Sequence, residues 1–239
     1  MELVDFSDVL SETAQLCGQD RENIPDHFFR LARDCANMRL KIAWTSERWT
    51  ELTRFLEVTP VSGDAITVDY PADCGDVLNV WNSNPRENDN AIPVDYFLSS
   101  DGTTRMIVLN NNTEVVLEYR IKLPKLRGDA WQQDSAYSVG RQVYHEFEDG
   151  TGNFYTAIAA TNPGETPENT PTKWERIKVP LIFGQYLSRG IYADYLRSNG
   201  EPIEARGADK DAEAMLVLEA DNQFRQQSQI KRLQVEQYR

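Results

Sequence analysis

Apolar residues recur at helical spacing at both ends of the chain and alternate in its middle. Over 5–17, Val9, Leu10, Thr13, Ala14 and Cys17 form a stripe of period near 3.6, with Asp5 or Ser7 as N-cap and Gly18 just past the end. A second helix is predicted from Pro25, a residue suited to a first helical position, with Phe28, Leu31, Ala32, Cys35, Met38, Arg39 and Ile42 along one face. Trp44 and Trp49 flank the polar piece Thr45-Ser46-Glu47-Arg48 and read as core packing, a hydrophobic clamp at the helix end.

From Val58 the period falls to two. Strands are predicted at Ala65–Tyr70, Val77–Trp81, Pro93–Leu98, Arg105–Leu109 and Glu114–Lys122. Breakers separate them: Pro71 to Gly75, Asn82 to Asn90, and the turn formers Asp101-Gly102 and Asn110-Asn111-Asn112. This is a small antiparallel sheet or sandwich. Between Trp131 and Trp174 the pattern changes again. Aromatics, Gly, Pro and Thr crowd together, and only the short strands Gln142–His145 and Asn153–Ala159 are predicted. Pro180 opens a largely buried helix carrying Leu181, Ile182, Phe183, Tyr186, Leu187, Ile191, Tyr192 and Tyr195, stopped by Asn199-Gly200 and Pro202. A last helix is predicted from Ala208 or Asp209; continued to the end of the sequence it would span about 48 Å.

The fold class is therefore α+β. N- and C-terminal segments form a helical bundle (1–57 and 177–221), an antiparallel β domain lies between (58–126), and a small β-rich module is inserted at 127–176. Residues 222–239 stand apart as a Gln-rich arm in which Arg225, Lys231, Arg232 and Arg239 oppose only Glu236. Such a segment reads as an arm that orders on a partner, or as a frayed tail.

Composition narrows the function. A net charge of −13 disfavours non-specific DNA binding, which needs clustered cations, and favours solubility. Three cysteines, Cys17, Cys35 and Cys74, lack CxxC spacing, and with only two histidines a zinc site is not expected. They read as reduced core thiols of an intracellular place of folding. No signal peptide and no transmembrane span are expected. There is no GxSxG, P-loop, GxGxxG or HExxH string. His145 beside Glu146 and Glu148 reads as a polar strand end, and His27 lies on a predicted helix. No catalytic residue, cofactor or metal ligand is assigned.

Several strings resemble the head-to-tail adaptor (neck) proteins of tailed bacteriophages, near the tail tubular adaptors of short-tailed phages. They are Ala43-Trp44 with Trp49-Thr50-Glu51-Leu52, Asp76 to Trp81 followed by Asn84-Pro85-Arg86, and Val115 to Arg120 with Leu123-Pro124. Val179-Pro180 and Tyr192 to Glu201, leading to Glu219-Ala220-Asp221 and the Gln-rich end, complete them. The resemblance implies a virion protein of the neck, made in the host cytoplasm. It implies a closed ring of about twelve copies below the portal protein. Such a ring extends the DNA channel and joins the capsid to a downstream neck or tail protein. DNA would pass an acidic lumen without sequence-specific binding. The portal-docking role falls on Phe224, Arg225, Gln227, Ile230, Lys231, Arg232, Leu233, Tyr238 and Arg239.

The inserted segment resembles chitin-binding-type carbohydrate-binding modules. Trp131, Tyr137-Ser138-Val139-Gly140, Val143-Tyr144, Tyr155-Thr156-Ala157 and Trp174 carry the likeness, with Arg141 where that pattern has Asp. The alternative function is a glycan-binding or decoration protein, with Trp131, Tyr137, Tyr144, Tyr155 and Trp174 stacking on a host surface glycan. Against it stands the reading of these rings as the module's own core.

Overall fold

The computed structural model describes residues 2–21, 23–62, 66–100, 102, 104–110 and 113–236; in its last helix beyond Gln226 the description covers the backbone alone. It is a mixed α+β chain that divides into two compact units. One joins Met1–Glu47 to Pro124–Arg239, and the other is Arg48–Leu123.

The first unit holds four helices, α1 (Phe6–Leu16), α2 (Asp26–Ser46), α3 (Gly184–Ser198) and α4 (Pro202–Glu236). Helix α1 follows the predicted stripe, burying Phe6, Val9, Leu10, Thr13 and Ala14. Its N-terminus is not capped by Asp5 or Ser7. The Phe6 N–H donates instead to Asn153 Oδ1 at 3.2 Å, a cap supplied from far along the chain. Helix α2 starts one residue after Pro25 and runs through Trp44 to Ser46. Its buried line is Phe28, Phe29, Ala32, Cys35, Ala36, Arg39, Leu40, Ala43 and Trp44. Met38 and Ile42, placed on that face by the sequence reading, are exposed. Trp44 packs on Phe183, with ring centroids 5.9 Å apart.

Helix α3 is preceded by a single 3-10 turn, Leu181–Phe183, so Pro180 introduces the tight turn and the α-helix starts at Gly184. Helix α4 starts at Pro202, not near Ala208. Pro202 is its first residue and not a break, because a proline lacks only an N–H that the first turn leaves unpaired anyway. At 35 residues it spans about 52 Å. No described helix is long and apolar enough to cross a membrane.

The 127–176 segment folds into a four-stranded sheet ordered β11-β10-β9-β8. Its strands are β8 (Asp129–Ala130), β9 (Gln142–Glu146), β10 (Gly152–Ala157) and β11 (Trp174–Arg176). It does not stand free of the helices. Phe154 packs edge-on to Phe6 at 4.8 Å and stacks with Phe29 at 6.1 Å, and Tyr144 lies 5.0 Å from Phe29. The Gly152 N–H donates to Ser7 Oγ, Asn153 Nδ2 donates to Asp5 Oδ1, and Arg176 Nη2 donates to the Val4 carbonyl and Asp5. On the other flank, the Arg33 guanidinium reaches Asp129 and the Gly128 carbonyl, and the Asn37 amide exchanges two hydrogen bonds with Leu126.

The second unit is antiparallel. One sheet, β1-β7-β4, comprises β1 (Thr53–Val58), β7 (Val115–Ile121) and β4 (Cys74–Trp81). The other, β2-β3-β6-β5, comprises β2 (Val61–Ser62), β3 (Ile66–Asp69), β6 (Arg105–Leu109) and β5 (Tyr96–Ser100). Val68, Ile107 and Leu109 of one meet Val80, Val115, Leu117 and Tyr119 of the other in a shared apolar core. The predicted strands are present with shifted ends, and β1 and β2 were not anticipated. Ala65 and most of the turn residues expected at 101 and 110–112 lie outside the described residues.

Candidate functional site

Two regions could carry function, and both lie in the first unit. The first is the root and shaft of α4. Among its described side chains Ala205, Ala208, Ala212 and Leu216 are buried, and Ala205 and Ala208 pack with Ala193 and Leu196 of α3. The spacing 205-208-212-216 follows one helical face. Small alanines let the helices approach closely, so α4 is rooted over its first four turns.

An ionic cluster fastens the same root. Arg39 of α2, 8% exposed, donates from Nε and Nη2 to the two oxygens of Asp194 on α3, at 2.9 and 2.6 Å. The same Nη2 donates to Asp209 Oδ1 on α4 at 2.8 Å. Arg197 bridges Asp194 and Asp209 from the other side. Burial alone would lower the Arg39 guanidinium, but its hydrogen bonds and charge pairing with Asp194 outweigh that and hold it above its ordinary value. Room for Arg39 comes from Gly190: a Cβ there would stand 2.9 Å from Arg39 Cδ and 3.0 Å from Nε.

Beyond Leu216 the shaft changes. Val217, Leu218 and Phe224 are exposed, Phe224 at 70%. Arg225 is exposed too. Of the other arm residues singled out, Gln227, Ile230, Lys231, Arg232 and Leu233 fall on the helical backbone of α4, while Tyr238 and Arg239 lie outside the described residues.

The second region is the module. Tyr144, Tyr155 and Trp174 are buried, between 5 and 8% exposed, and their faces are taken up by internal packing. Trp174 meets Tyr137 edge-on at 5.5 Å, and Phe147 meets Tyr155 at 6.0 Å. Trp131 and Tyr137 are half-buried against the same cluster. Of the five rings, only these two present area to solvent. His145 sits edge-on between Trp131 (5.5 Å) and Phe147 (5.3 Å), its Nε2 buried without a hydrogen-bond partner. Burial lowers its pKa, against the opposing charge of Glu168.

Burial raises all three thiols, Cys17 to about 12 and Cys35 and Cys74 to about 11, so none is an activated nucleophile. No group of His, Cys, Asp and Glu among the described residues could hold a metal ion. Arg39, Asp194, Arg197 and Asp209 were missed as a site by the sequence reading. The signal was an arginine falling on the apolar stripe of a predicted helix. Comparison with protein-family models and with curated proteins finds no match for this chain.

Proposed function

We propose that this protein is a structural virion component, a head-to-tail adaptor of a tailed bacteriophage. One observation carries the reading: α4 is fastened to the body over its first turns and then runs on as a helical shaft with apolar side chains in solvent. An exposed Phe and Leu-Val pair beside cations and glutamines is poor design for a free surface and suits a partner that covers it. The resemblance of the strings around Trp81, Tyr119 and Tyr195 to neck proteins supports the same assignment. In this reading 222–239 grips the portal, copies close into a ring, and the ring passes DNA through an acidic lumen towards a downstream neck or tail protein. The Arg39 cluster sets the direction in which the arm leaves the body.

The test is removal of 222–239. The shortened protein should keep its melting temperature, lose from its circular dichroism spectrum only the helical signal of 222–236, and lose co-sedimentation with portal rings of the same phage. Undiminished portal binding by the shortened chain would overturn the docking role.

A further inference from the structure

The cations of the module are not evenly matched. Lys173 is paired with Glu165, and Arg176 with Asp5 and the Val4 carbonyl. Arg127 and Arg141 are the two described basic side chains of 127–176 without an acidic partner, and both line one cleft of about 530 Å³. Strand β8 runs parallel to β9, with Asp129 opposite Val143 and Ala130 opposite Tyr144. Arg127 and Arg141 lie just ahead of the two paired segments, two positions before Asp129 and Val143 respectively. The Arg127 N–H donates to the Gln142 side chain, at Oε1, at 2.7 Å. Two like charges on the wall of one cleft repel.

The backbone beneath them is fixed. Gly128 lies so close to β9 that a Cβ would meet the Val143 backbone at 2.6–2.7 Å. On the other side, the Arg141 carbonyl accepts from the Ala157 N–H, and the Gly140 N–H donates to the Ala157 carbonyl, both at 2.8 Å. These contacts hold the backbone at the root of each arginine, and both exposed side chains rise from there into the cleft. Around them the wall is polar: Gln132, Ser135, Ser138 and Gln142, with the ring of Tyr137; the one carboxylate on it, Asp129, is paired with Arg33.

We infer that this cleft binds a saccharide bearing an anionic oxygen group, carboxylate or phosphate, seated between Arg127 and Arg141. Two guanidinium forks match the oxygens of one such group, and its charge relieves their repulsion. Hydroxyl and amide side chains suit a polyol, and the cleft is of small-ligand size. The site is distinct from the buried rings of the module and does not rest on the adaptor reading.

Isothermal titration of the full chain tests it, with a galacturonate trimer and glucose 6-phosphate as probes and chitotriose as the neutral control. A short DNA duplex and a Glu-rich peptide serve as competitors. The expected result is binding of one or both acidic sugars, the responding probe identifying the group. Arg127→Ala and Arg141→Ala should each weaken it roughly ten- to hundredfold, with no loss of melting temperature. Arg141→Lys should restore part of the loss. Absence of binding at millimolar sugar, chitotriose binding of equal strength, acidic-sugar binding unchanged in both alanine variants, or capture of only DNA or peptide would each overturn the inference.

Discussion

Replacing Gly190 with alanine is the sharpest probe of how α4 is anchored. In an ordinary helix interior, Gly→Ala stabilises by about 1 kcal/mol, because alanine gives up less backbone freedom on folding. At 190 the added methyl would stand 2.9 Å from Arg39 Cδ, 3.0 Å from Nε and 3.2 Å from Cγ. A free arginine would swing aside at little cost. Arg39 cannot, since its guanidinium is tied to Asp194 by two bonds and to Asp209 by a third. Overpacking of this kind costs about 1–3 kcal/mol. Set against the propensity gain, Gly190→Ala should be neutral to destabilising by about 2 kcal/mol. In an Arg39→Ala background the methyl has room, and the same change should stabilise by up to about 1 kcal/mol. The four proteins form a double-mutant cycle with a coupling of about 1–3 kcal/mol. Urea unfolding gives the energies, and hydrogen exchange over 184–216 shows whether the loss is local to α3 and α4. Stabilisation of the otherwise unaltered chain by Gly190→Ala, or a coupling near zero, would refute the claim that Arg39 is held rigid.

Three further outcomes follow from the same geometry. Trp174→Ala should cost about 3–5 kcal/mol, because a buried indole leaves a cavity, while the half-buried Trp131→Ala should cost about 1–2; equal losses by urea unfolding would contradict the placement. The folded chain disfavours protonation of His145, so below its unfolded value of 6.5 the unfolded state takes up more protons. Stability of the first unit should therefore be complete above pH 6.5 and fall as the pH drops through and below it, and His145→Gln should remove that component in a pH series of melting curves. At pH 8 Cys35 and Cys74 should resist iodoacetamide until denaturant is added, read by mass spectrometry; rapid labelling of either in the native protein would contradict their burial.

Local pattern was enough to place α1, α2, α3 and most strands of the β unit, because one face of each is apolar at the right period. It failed where small or charged residues do the packing. Helix α4 was started late because Ala205 and Ala208 carry its buried line, and alanine barely registers as hydrophobic. Strand β1 was missed because Arg54 and Glu57 interrupt its alternation; it is defined by pairing with β7, Thr53 opposite Arg120 through Val58 opposite Val115. Met38 and Ile42 were drawn into the α2 stripe by their apolar character, yet the buried face turns to Ala36 and Leu40. The aromatic cluster at 131–174 suggested a self-contained insertion. Its ties to Asp5, Phe6 and Ser7 join residues more than a hundred positions apart, which no local window can see. The Arg39 cluster is of the same kind, with three helices each contributing part of it.

The first unit is discontinuous, closed only when Pro124 onward meets Met1–Glu47. On a ribosome delivering roughly 5–20 residues per second, α1 and α2 emerge long before Asn153 exists to cap one and Asp194 to neutralise the other. The β unit, contiguous in the chain, is free to mature in that interval. The helices must meanwhile keep Phe6, Phe28 and Phe29 from mispairing, so nascent chains stalled between 123 and 184 are where a chaperone would be found attached.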